Sequence, residues 1–341
     1  MKTLSEQVDF AMKLTALAVL VALVALPGMA ADTPSPALLV LNKGGSLAIV
    51  DPATNKVVGR VPTGPAPHEV AVSDDGRLAF TSNYGEFDPE HEGRTISVIG
   101  LASQKELRRV ELGPLHRPHG LAFAGGELYF TVEMSKLIAR YDPEADQIDW
   151  YMGTGQNRTH MIEVSKDRKT IYTSNVDSGT ISIFDKTEGP DRWTQTIVPA
   201  GKGPEGFDVT PDGKQLWAAG SGDGLIHMID LGTRKEAGTI EIHTKRSNRL
   251  RFTPDGKLAL VSDLGTGDVV IVDVASQSER KRLHVGTNVA GILIPPDGQR
   301  AYVACTADNQ VAIVDLQTFA VTGRIQTGKG PDGMAWVAAR K

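Results

Sequence analysis

The chain has 341 residues, of which 40% are hydrophobic and 6% aromatic, and its formal net charge is −5. Such a length suits one large all-β domain as well as two smaller domains. The acidic balance argues against nucleic acid as a partner, because proteins that bind nucleic acid present basic patches. Glycine is abundant, with 36 residues, and no long helical pattern of apolar residues follows residue 30. The composition therefore favours a fold built from strands and turns.

The N-terminal segment, residues 1–30, has the pattern of a secretory signal peptide. A mostly apolar run at 14–26 follows Lys13, and small residues occupy the places expected if cleavage follows Ala30. The run is short for a membrane span, so we expect none after cleavage. Met12 is the expected true start, because it would give the signal a short basic beginning. We expect a periplasmic or secreted protein, with a short linker at 31–37.

A repeat of about forty residues dominates the rest of the chain. The turn Pro-Asp-Gly occurs at 211–213, 254–256 and 296–298, with variants at 74–76 and 124–126. Short segments rich in Val and Ile, separated by Gly, Pro and Asp turns, are typical of a sandwich, barrel or propeller. Four such segments per repeat of this length select the propeller. A second phrase, apolar residues followed by Asp, ends at Asp51, Asp185, Asp230, Asp273 and Asp315.

The strands of each repeat are designated A to D from the centre of the ring outwards. The first segment, at 38–41, matches strand B, and the last, at 333–337, matches strand A. We therefore predict a single all-β domain over residues 38–339, a seven-bladed β-propeller of four-stranded antiparallel blades. Its ring closes when the C-terminal strand A joins the N-terminal strands B, C and D, which pairs the terminal strand edges. The seven A strands are predicted to start near residues 68, 119, 160, 205, 248, 290 and 332.

The repeat resembles a known family. The phrases at 128–131, 171–175 and 301–304, together with the two recurring phrases above, are similar to the YVTN family of β-propeller repeats, which includes YncE-like proteins. The resemblance covers essentially the whole chain after the signal segment. It implies the seven-bladed fold and, for many members, export. It implies no single activity, since some members have no defined activity and related seven-bladed propellers include lactonases and lyases.

The residues that open the seven A strands are predicted to surround the mouth of the central channel. Three histidines at equivalent places on consecutive blades predict a metal site, since three imidazoles suit Zn²⁺ or Cu²⁺ and leave one position open. Glu205, Glu69 or Asp332 is expected to complete the ligand set or to act as a base. The competing hypothesis is that each histidine bonds only a backbone carbonyl or water, without a cofactor. The opening residues are His68, His119, His160, Glu205, Asn248, Ala290 and Asp332.

Arginines accompany these polar residues. Arg117 and Arg158 each lie two residues before a mouth histidine, and Arg246 and Arg249 flank the mouth residue Asn248. Guanidinium groups suit carboxylates and phosphates. We therefore expect the arginines and the polar mouth residues to bind a small anionic ligand. The alternative is that the arginines bridge neighbouring blades or lie in solvent.

Two further features favour structural interpretations. The longest B–C loop, at 84–94, lies on the mouth side and is interpreted as a solvated loop, the alternative being a lid over the mouth. Small polar residues recur at the end of strand B, and we interpret that position as turn chemistry. The residues at this position are Asn42, Asn83, Glu133, Asn175, Gly220, Asp263 and Cys305.

Two functions remain open at this stage. The first is a monomeric binding module without catalysis, whose partner is a small anionic ligand or a protein of the cell envelope. The second is an enzyme at the same mouth: a metal-assisted hydrolase, lyase or lactonase, or a copper redox site, with His160 or Glu205 as general base. The sequence contains no P-loop, no dinucleotide-binding turn, no serine elbow and no paired zinc cysteines.

Overall fold

The computed structural model of the chain describes residues 33–86, 88–189 and 191–339. The predicted signal peptide, with its expected start at Met12 and cleavage after Ala30, lies outside these ranges. The described residues form 28 strands and one short 3-10 helix, η1 (Pro89–His91). The strands make seven four-stranded antiparallel sheets, so the predicted seven-bladed propeller is confirmed. Within the described ranges, no helix has the length and apolar character of a membrane span.

The first four blades take their strands from both ends of the chain and from its first half. Blade 1 consists of β1 (Ala37–Asn42), β2 (Ser46–Asp51), β3 (Lys56–Pro62) and the last strand, β28 (Pro331–Val337). Blade 2 consists of β4 (Pro67–Val72), β5 (Leu78–Gly85), β6 (Glu92–Gly100) and β7 (Lys105–Glu111). Blade 3 consists of β8 (Pro118–Ala124), β9 (Glu127–Val132), β10 (Leu137–Asp142) and β11 (Gln147–Gly153). Blade 4 consists of β12 (Thr159–Val164), β13 (Thr170–Asn175), β14 (Thr180–Lys186) and β15 (Trp193–Pro199).

The remaining three blades follow in chain order. Blade 5 consists of β16 (Pro204–Val209), β17 (Gln215–Gly220), β18 (Leu225–Asp230) and β19 (Lys235–Glu241). Blade 6 consists of β20 (Ser247–Phe252), β21 (Leu258–Asp263), β22 (Asp268–Asp273) and β23 (Ser278–His284). Blade 7 consists of β24 (Val289–Leu293), β25 (Arg300–Cys305), β26 (Gln310–Asp315) and β27 (Ala320–Gln326).

The ring closes as predicted. In blade 1 the strand order is β28-β1-β2-β3, with Ala37 opposite Val337 and Val40 opposite Met334. Each inner strand contacts the inner strands of the two neighbouring blades, and β24 and β28 complete the circle. The described residues contain seven buried apolar clusters, and each takes its side chains from two adjacent blades. Packing between blades is therefore what holds the ring together.

Burial along the strands follows their distance from the channel. The four central residues of β2 and β22 are all buried, because each face of such a strand packs against a neighbouring blade. Outer strands behave differently: β7 alternates exposed and half-buried residues along its whole length. This alternation is the pattern of a strand with one face toward solvent. Polar function is therefore confined to strand ends and loops.

Every inner strand begins one residue before its predicted start, and its first residues form a β-bulge. In blade 2, Pro67 pairs with Asn83 and Val70 pairs with Thr81, so two inner-strand residues face a single residue of β5. The other six inner strands have the same extra residue at their first positions. A bulge turns the local side chains away from the normal alternation. It is this irregularity that carries the residues of the channel mouth.

Hydroxyl side chains of the second strand hold several of these bulges. Thr131 Oγ1 accepts a hydrogen bond from the Gly120 amide at 2.9 Å and donates one to the His160 carbonyl of the next blade at 2.6 Å. Ser174 and Ser262 make the same pair of bonds in blades 4 and 6. Gly120 itself allows the close approach, because a Cβ there would lie 2.5 Å from that His160 carbonyl oxygen. Adjacent bulges are therefore fixed relative to one another.

Candidate functional site

The three mouth histidines lie side by side, as the repeat alignment predicted. His68, His119 and His160 come from the bulges of β4, β8 and β12. The ring centroids of His68 and His119 are 5.2 Å apart, and those of His119 and His160 are 3.7 Å apart with an interplanar angle of 32°. Tyr84 extends this group, with its ring 4.3 Å from that of His68 and edge-on to His119 at 5.5 Å. Four rings thus line one side of the mouth.

Two of these imidazoles are buried and neutral. The exposed fraction is 8% for His68 and 5% for His119. Burial lowers the pKa of both rings well below the usual range, and the positive charges nearby act in the same direction. The Nδ1 atoms of both rings are buried and have no hydrogen-bond partner among the described residues. A buried polar atom without a partner is costly, and in a folded protein it calls for water, an ion or a ligand.

Glu133 joins the histidines from the end of β9. Tyr84 donates a hydrogen bond from its hydroxyl to Glu133 Oε2 at 2.6 Å, and His160 Nδ1 bonds Oε1 of the same carboxylate. Burial alone would raise the pKa of Glu133, but the hydrogen bond and charge of His160 outweigh it, and the pKa falls to about 2. The carboxylate is therefore ionised at any physiological pH.

One group of donors in the described part of the chain has the spacing of a metal site. The ligand atoms of His119, Glu133 and His160 all lie within 4.8 Å of one another, and all three residues are buried. Two imidazoles and one carboxylate form a ligand set used for Zn²⁺ and for other divalent transition metals. The third predicted ligand, His68, is not part of this group, and its ring lies beside His119.

The polar chain continues around the mouth on the far side of His160. His160 Nε2 lies 3.7 Å from Glu205 Oε1 on β16, and this oxygen accepts a hydrogen bond from Asn248 Nδ2 at 3.1 Å. Asn248 keeps a buried Oδ1 without a partner among the described residues. His160 therefore stands between two carboxylates, Glu133 and Glu205. This arrangement can accept or pass a proton at the ring.

A cavity of about 440 Å³ opens beside the histidine group. Arg158 contributes to it, and its guanidinium lies 3.8 Å from both Glu133 and Asp177, beyond hydrogen-bond distance. Burial alone would lower the pKa of Arg158, but nearby carboxylates raise it, so the group stays charged. Arg117 lies over the Tyr84 ring at 5.6 Å. The cavity is lined by Tyr84, Arg117, Glu133, Met134, Lys136, Asn157, Arg158 and Asp177.

The backbone of the two cavity arginines is unusual. Arg117 has φ +59° and Arg158 has φ +54°, a left-handed conformation that side chains other than glycine adopt rarely. Blades 5 and 1 have Gly203 and Gly330 at the equivalent place, with φ +68° in both. Ala66 and Asn288 have a positive φ in blades 2 and 7, so the left-handed conformation before the bulge belongs to the repeat in six of the seven blades. Arg246, at the same place in blade 6, does not share this conformation and is exposed.

The remaining predicted residues pair with one another inside the channel. Arg249 Nη2 and Glu69 Oε1 form an ion pair, and the two residues come from β20 and β4, which are not neighbours in the ring. Burial lowers the pKa of Arg249 to about 10, against the opposing charge of Asp332. Asp332 itself forms an ion pair with Lys43 at 3.0 Å. All four charged side chains are therefore paired within the protein, and the Glu69–Arg249 pair joins blades 2 and 6.

Two site residues were not predicted as such. Glu133 was aligned with Asn83 as a turn residue, but in the structure Val132 pairs with the first residue of β8, as Asn83 does with that of β4. Glu133 is thus one place further on and is equivalent to Tyr84. Tyr84 was assigned to the solvated loop 84–94, yet its exposed fraction is only 1%. The signal available in the sequence was Glu133 itself, a glutamate where the other blades have a smaller residue.

Comparison with known proteins supports the fold. No family model and no curated protein matches the sequence significantly. The hydrazine synthase structure from Kuenenia stuttgartiensis is 22% identical, with a TM-score of 0.66 over 78% of this chain and 88% of that one. A candidate 6-phosphogluconolactonase from Bacteroides uniformis is 16% identical, with a TM-score of 0.72 over 89% and 99% of the two chains. The enzyme dihydro-heme d1 dehydrogenase, solved in complex with DHE, is 13% identical, with a TM-score of 0.64 over 88% and 74%.

These similarities concern the propeller alone. At such identities a common fold does not carry a common activity, because function depends on the particular site residues. The structural neighbours include enzymes, and the seven-bladed fold is shown. Membership of the YVTN family stays a prediction.

The low pKa of Glu133 predicts a pH-dependent contribution to stability. Its folded pKa of about 2 lies below the ordinary 4.5, so the contribution is fully present above pH 4.5 and is lost as the pH falls toward 2. We expect the stability advantage of the wild type over Glu133→Gln to shrink by about 2 kcal/mol between pH 5 and pH 3. Urea unfolding at a series of pH values measures this difference. Glu144→Gln, which removes an exposed carboxylate, is the control, and an advantage that stays constant with pH contradicts the assignment.

Proposed function

We propose that the protein is an exported binding propeller whose channel mouth holds a divalent transition metal, Zn²⁺ or Cu²⁺, and takes a small anionic ligand beside it. The metal ligands are one nitrogen each of His119 and His160 and one oxygen of Glu133. The observation that carries the proposal is the position of His119, a buried neutral imidazole whose Nδ1 has no hydrogen-bond partner among the described residues, beside a carboxylate that remains ionised.

The protonation states suit metal binding. A metal binds neutral imidazole and ionised carboxylate, and other sites must release protons before they can do so. Here burial has already removed the proton from His119, and hydrogen bonds keep Glu133 ionised. Tyr84 bonds the second oxygen of Glu133 and orients the carboxylate, as outer partners of metal ligands commonly do. His119 and Glu133 therefore need to release no proton when the ion enters.

The cavity beside this group supports an anion rather than a protein as the partner. Its volume of about 440 Å³ is in the range of small-molecule sites. Three basic side chains border it against two acidic ones, and Arg117 also pairs with Glu92 of blade 2 at 3.2 Å. Arg158 is charged and lies beyond hydrogen-bond distance of both nearby carboxylates, at 3.8 Å. We therefore infer that the guanidinium of Arg158 serves the ligand, with Arg117 beside it.

A second candidate is an enzyme at the same place, a metal-assisted hydrolase, lyase or lactonase or a copper redox site. The observation that favours it is the position of Glu205, whose Oε1 lies 3.7 Å from His160 Nε2 and which would take a proton from a bound water or substrate beside the metal. The two candidates differ in turnover. Hydrolysis of lactones or phosphate esters by the Zn²⁺-loaded protein, abolished in Glu205→Gln, would establish the enzyme, and binding without turnover would support the binding protein.

The metal site is tested by titration of protein recovered from the periplasm and stripped with a chelator. We expect one equivalent of Zn²⁺ to bind, with affinity at least about tenfold lower in His119→Ala and Glu133→Gln. His68→Ala is expected to bind within about threefold of the wild type. Competition with a chromophoric chelator measures the affinities, and His243→Ala, an exposed histidine, is the matched control. If wild type and His119→Ala take up the same negligible amount of metal, the metal proposal fails. N-terminal sequencing of the same sample tests export, since cleavage after Ala30 leaves Ala31 first.

The anion site is tested with Arg158→Gly. Glycine suits the left-handed backbone, so the free energy of unfolding should change by no more than about 1 kcal/mol. We expect binding of the probes phosphate and malonate, followed by calorimetry, to weaken at least about tenfold because a charge-assisted contact is lost. The matched control is Arg246→Gly at the equivalent place in blade 6, which should leave binding unchanged. Equal binding by wild type and Arg158→Gly would contradict the assignment.

A further inference from the structure

A second chamber lies further along the channel. Its volume is about 320 Å³, and its walls come from the inner strands β8, β12 and β16, with one residue of β20. These residues follow the mouth residues by one to four places, which is about 3–13 Å along a strand. Glu69 and Arg249, which form an ion pair, each follow a mouth residue by one place. The chamber is lined by Leu121, Ala122, Phe123, Met161, Ile162, Glu163, Val164, Phe207, Asp208 and Arg251.

The charges in this chamber occupy one repeat position. This position is the third residue after each mouth residue, and three consecutive blades, 4 to 6, have a charged side chain there. The other four blades have alanine or leucine, so the fold itself does not require a charge at this place. A departure from the repeat over three adjacent blades indicates a local role. In chain order from blade 2 to blade 7 and then blade 1, the position is occupied by Ala71, Ala122, Glu163, Asp208, Arg251, Leu293 and Ala335.

The chamber contains two acidic side chains and one basic side chain, so one acid has no basic partner in the chamber walls. Asp208 accepts bonds from the Phe252 amide at 2.8 Å and the Val209 amide at 3.2 Å. Arg251 donates to the Phe207 carbonyl at 3.1 Å and lies 3.9 Å from Asp208 Oδ1, where it balances that charge. Glu163 is the second acid, and the chamber walls contain no second base.

Glu163 is therefore protonated at neutral pH. Burial, followed by the charge of Asp208, raises its pKa to about 8, although Arg251 acts in the opposite direction. Burial raises the pKa of Asp208 as well. The strand on the other side, β8, contributes only apolar residues to the chamber. Tyr172 on β13 also feels the charge of Glu163. A carboxyl group kept neutral beside a carboxylate becomes ionised when a cation is placed next to both.

The rest of the wall is apolar and aromatic. Phe123, Phe207 and Met161 line the chamber together with four aliphatic residues. Aromatic faces attract organic cations, and they exclude the strongly hydrated inorganic ions that prefer oxygen ligands. The side chains of Asp208 and Arg251 are 20% and 35% exposed, so the chamber is reached from solvent. The wall and the acid pair suit one class of ligand.

We propose that this chamber binds a small organic cation, an ammonium group on an apolar body, with Glu163 and Asp208 facing its charge. On binding, the O–H bond of Glu163 breaks and its proton passes to solvent, so that one positive charge replaces another. The site is independent of the metal and anion at the mouth. It shares no lining residue with the metal group or the anion cavity, and it takes a ligand of the opposite sign to the anion.

The test uses benzyltrimethylammonium, whose charge does not change with pH. Calorimetry at pH 9 is expected to give single-site binding that is about tenfold or more tighter than at pH 6, because the cation competes with the proton of Glu163. Near pH 7, titrations in two buffers of different ionisation enthalpy should show the release of close to one proton. Benzoate, with the same ring and a negative charge, should not bind in the chamber. These measurements on the wild type do not depend on any variant.

Glu163→Gln is the sharpest variant, since it replaces a neutral acid with a neutral amide of the same shape. We expect it to fold at pH 6, to lose the proton release and to bind the cation at least about tenfold more weakly at pH 9. Asp167→Asn removes an exposed carboxylate from the turn after β12 and should bind as the wild type does. Zn²⁺ binding at the mouth should be unchanged in both variants. Binding that is equal at pH 6 and pH 9, or that persists in Glu163→Gln, or a preference for benzoate, overturns the proposal.

Discussion

The extra residue at the start of each inner strand is the constraint on which the rest of the structure depends. It interrupts strand pairing at the place where seven strands converge, so that side chains which would otherwise lie between blades reach the channel. Thr131, Ser174 and Ser262 fix the arrangement by linking the bulge of their own blade to the bulge of the next. The backbone geometry of the mouth is thus set by bonds between these hydroxyl side chains and backbone groups, and the side chains of the mouth residues take no part in them.

Burial then gives the mouth residues their chemistry. An imidazole in water is partly protonated near neutral pH, but His68 and His119 are held neutral by the loss of water around them. Glu133 is buried as well, yet it remains ionised because His160 and Tyr84 bond its two oxygens. The same physical effect therefore produces opposite charge states, and the difference lies in hydrogen bonding. Neutral nitrogens beside a fixed carboxylate are the arrangement that a metal ion requires.

The sequence was sufficient for the parts of the structure that repeat. The Pro-Asp-Gly turns gave the number of blades, and the unmatched segments at the two ends gave the closure that β1 and β28 form. The proximity of the histidines followed from the same alignment. Glu133 was missed because β9 is one residue out of step with β5, and spacing alone does not reveal which residue a backbone amide will pair with. The Glu69–Arg249 pair was missed because it joins blades that are not adjacent in the ring, and the repeat spacing does not show which side chains reach each other across such a distance.

The channel carries two environments of opposite preference. At the mouth, neutral imidazoles, an ionised carboxylate and two arginines make a place for a metal and an anion. Three residues after the mouth residues, an acid pair with a single arginine makes a place where positive charge is lacking. The buried pair of Glu69 and Arg249 brings one charge of each sign, so it adds no net charge to either place. The same seven inner strands therefore present opposite preferences at two levels, because blades 4 to 6 depart from the repeat at a single position.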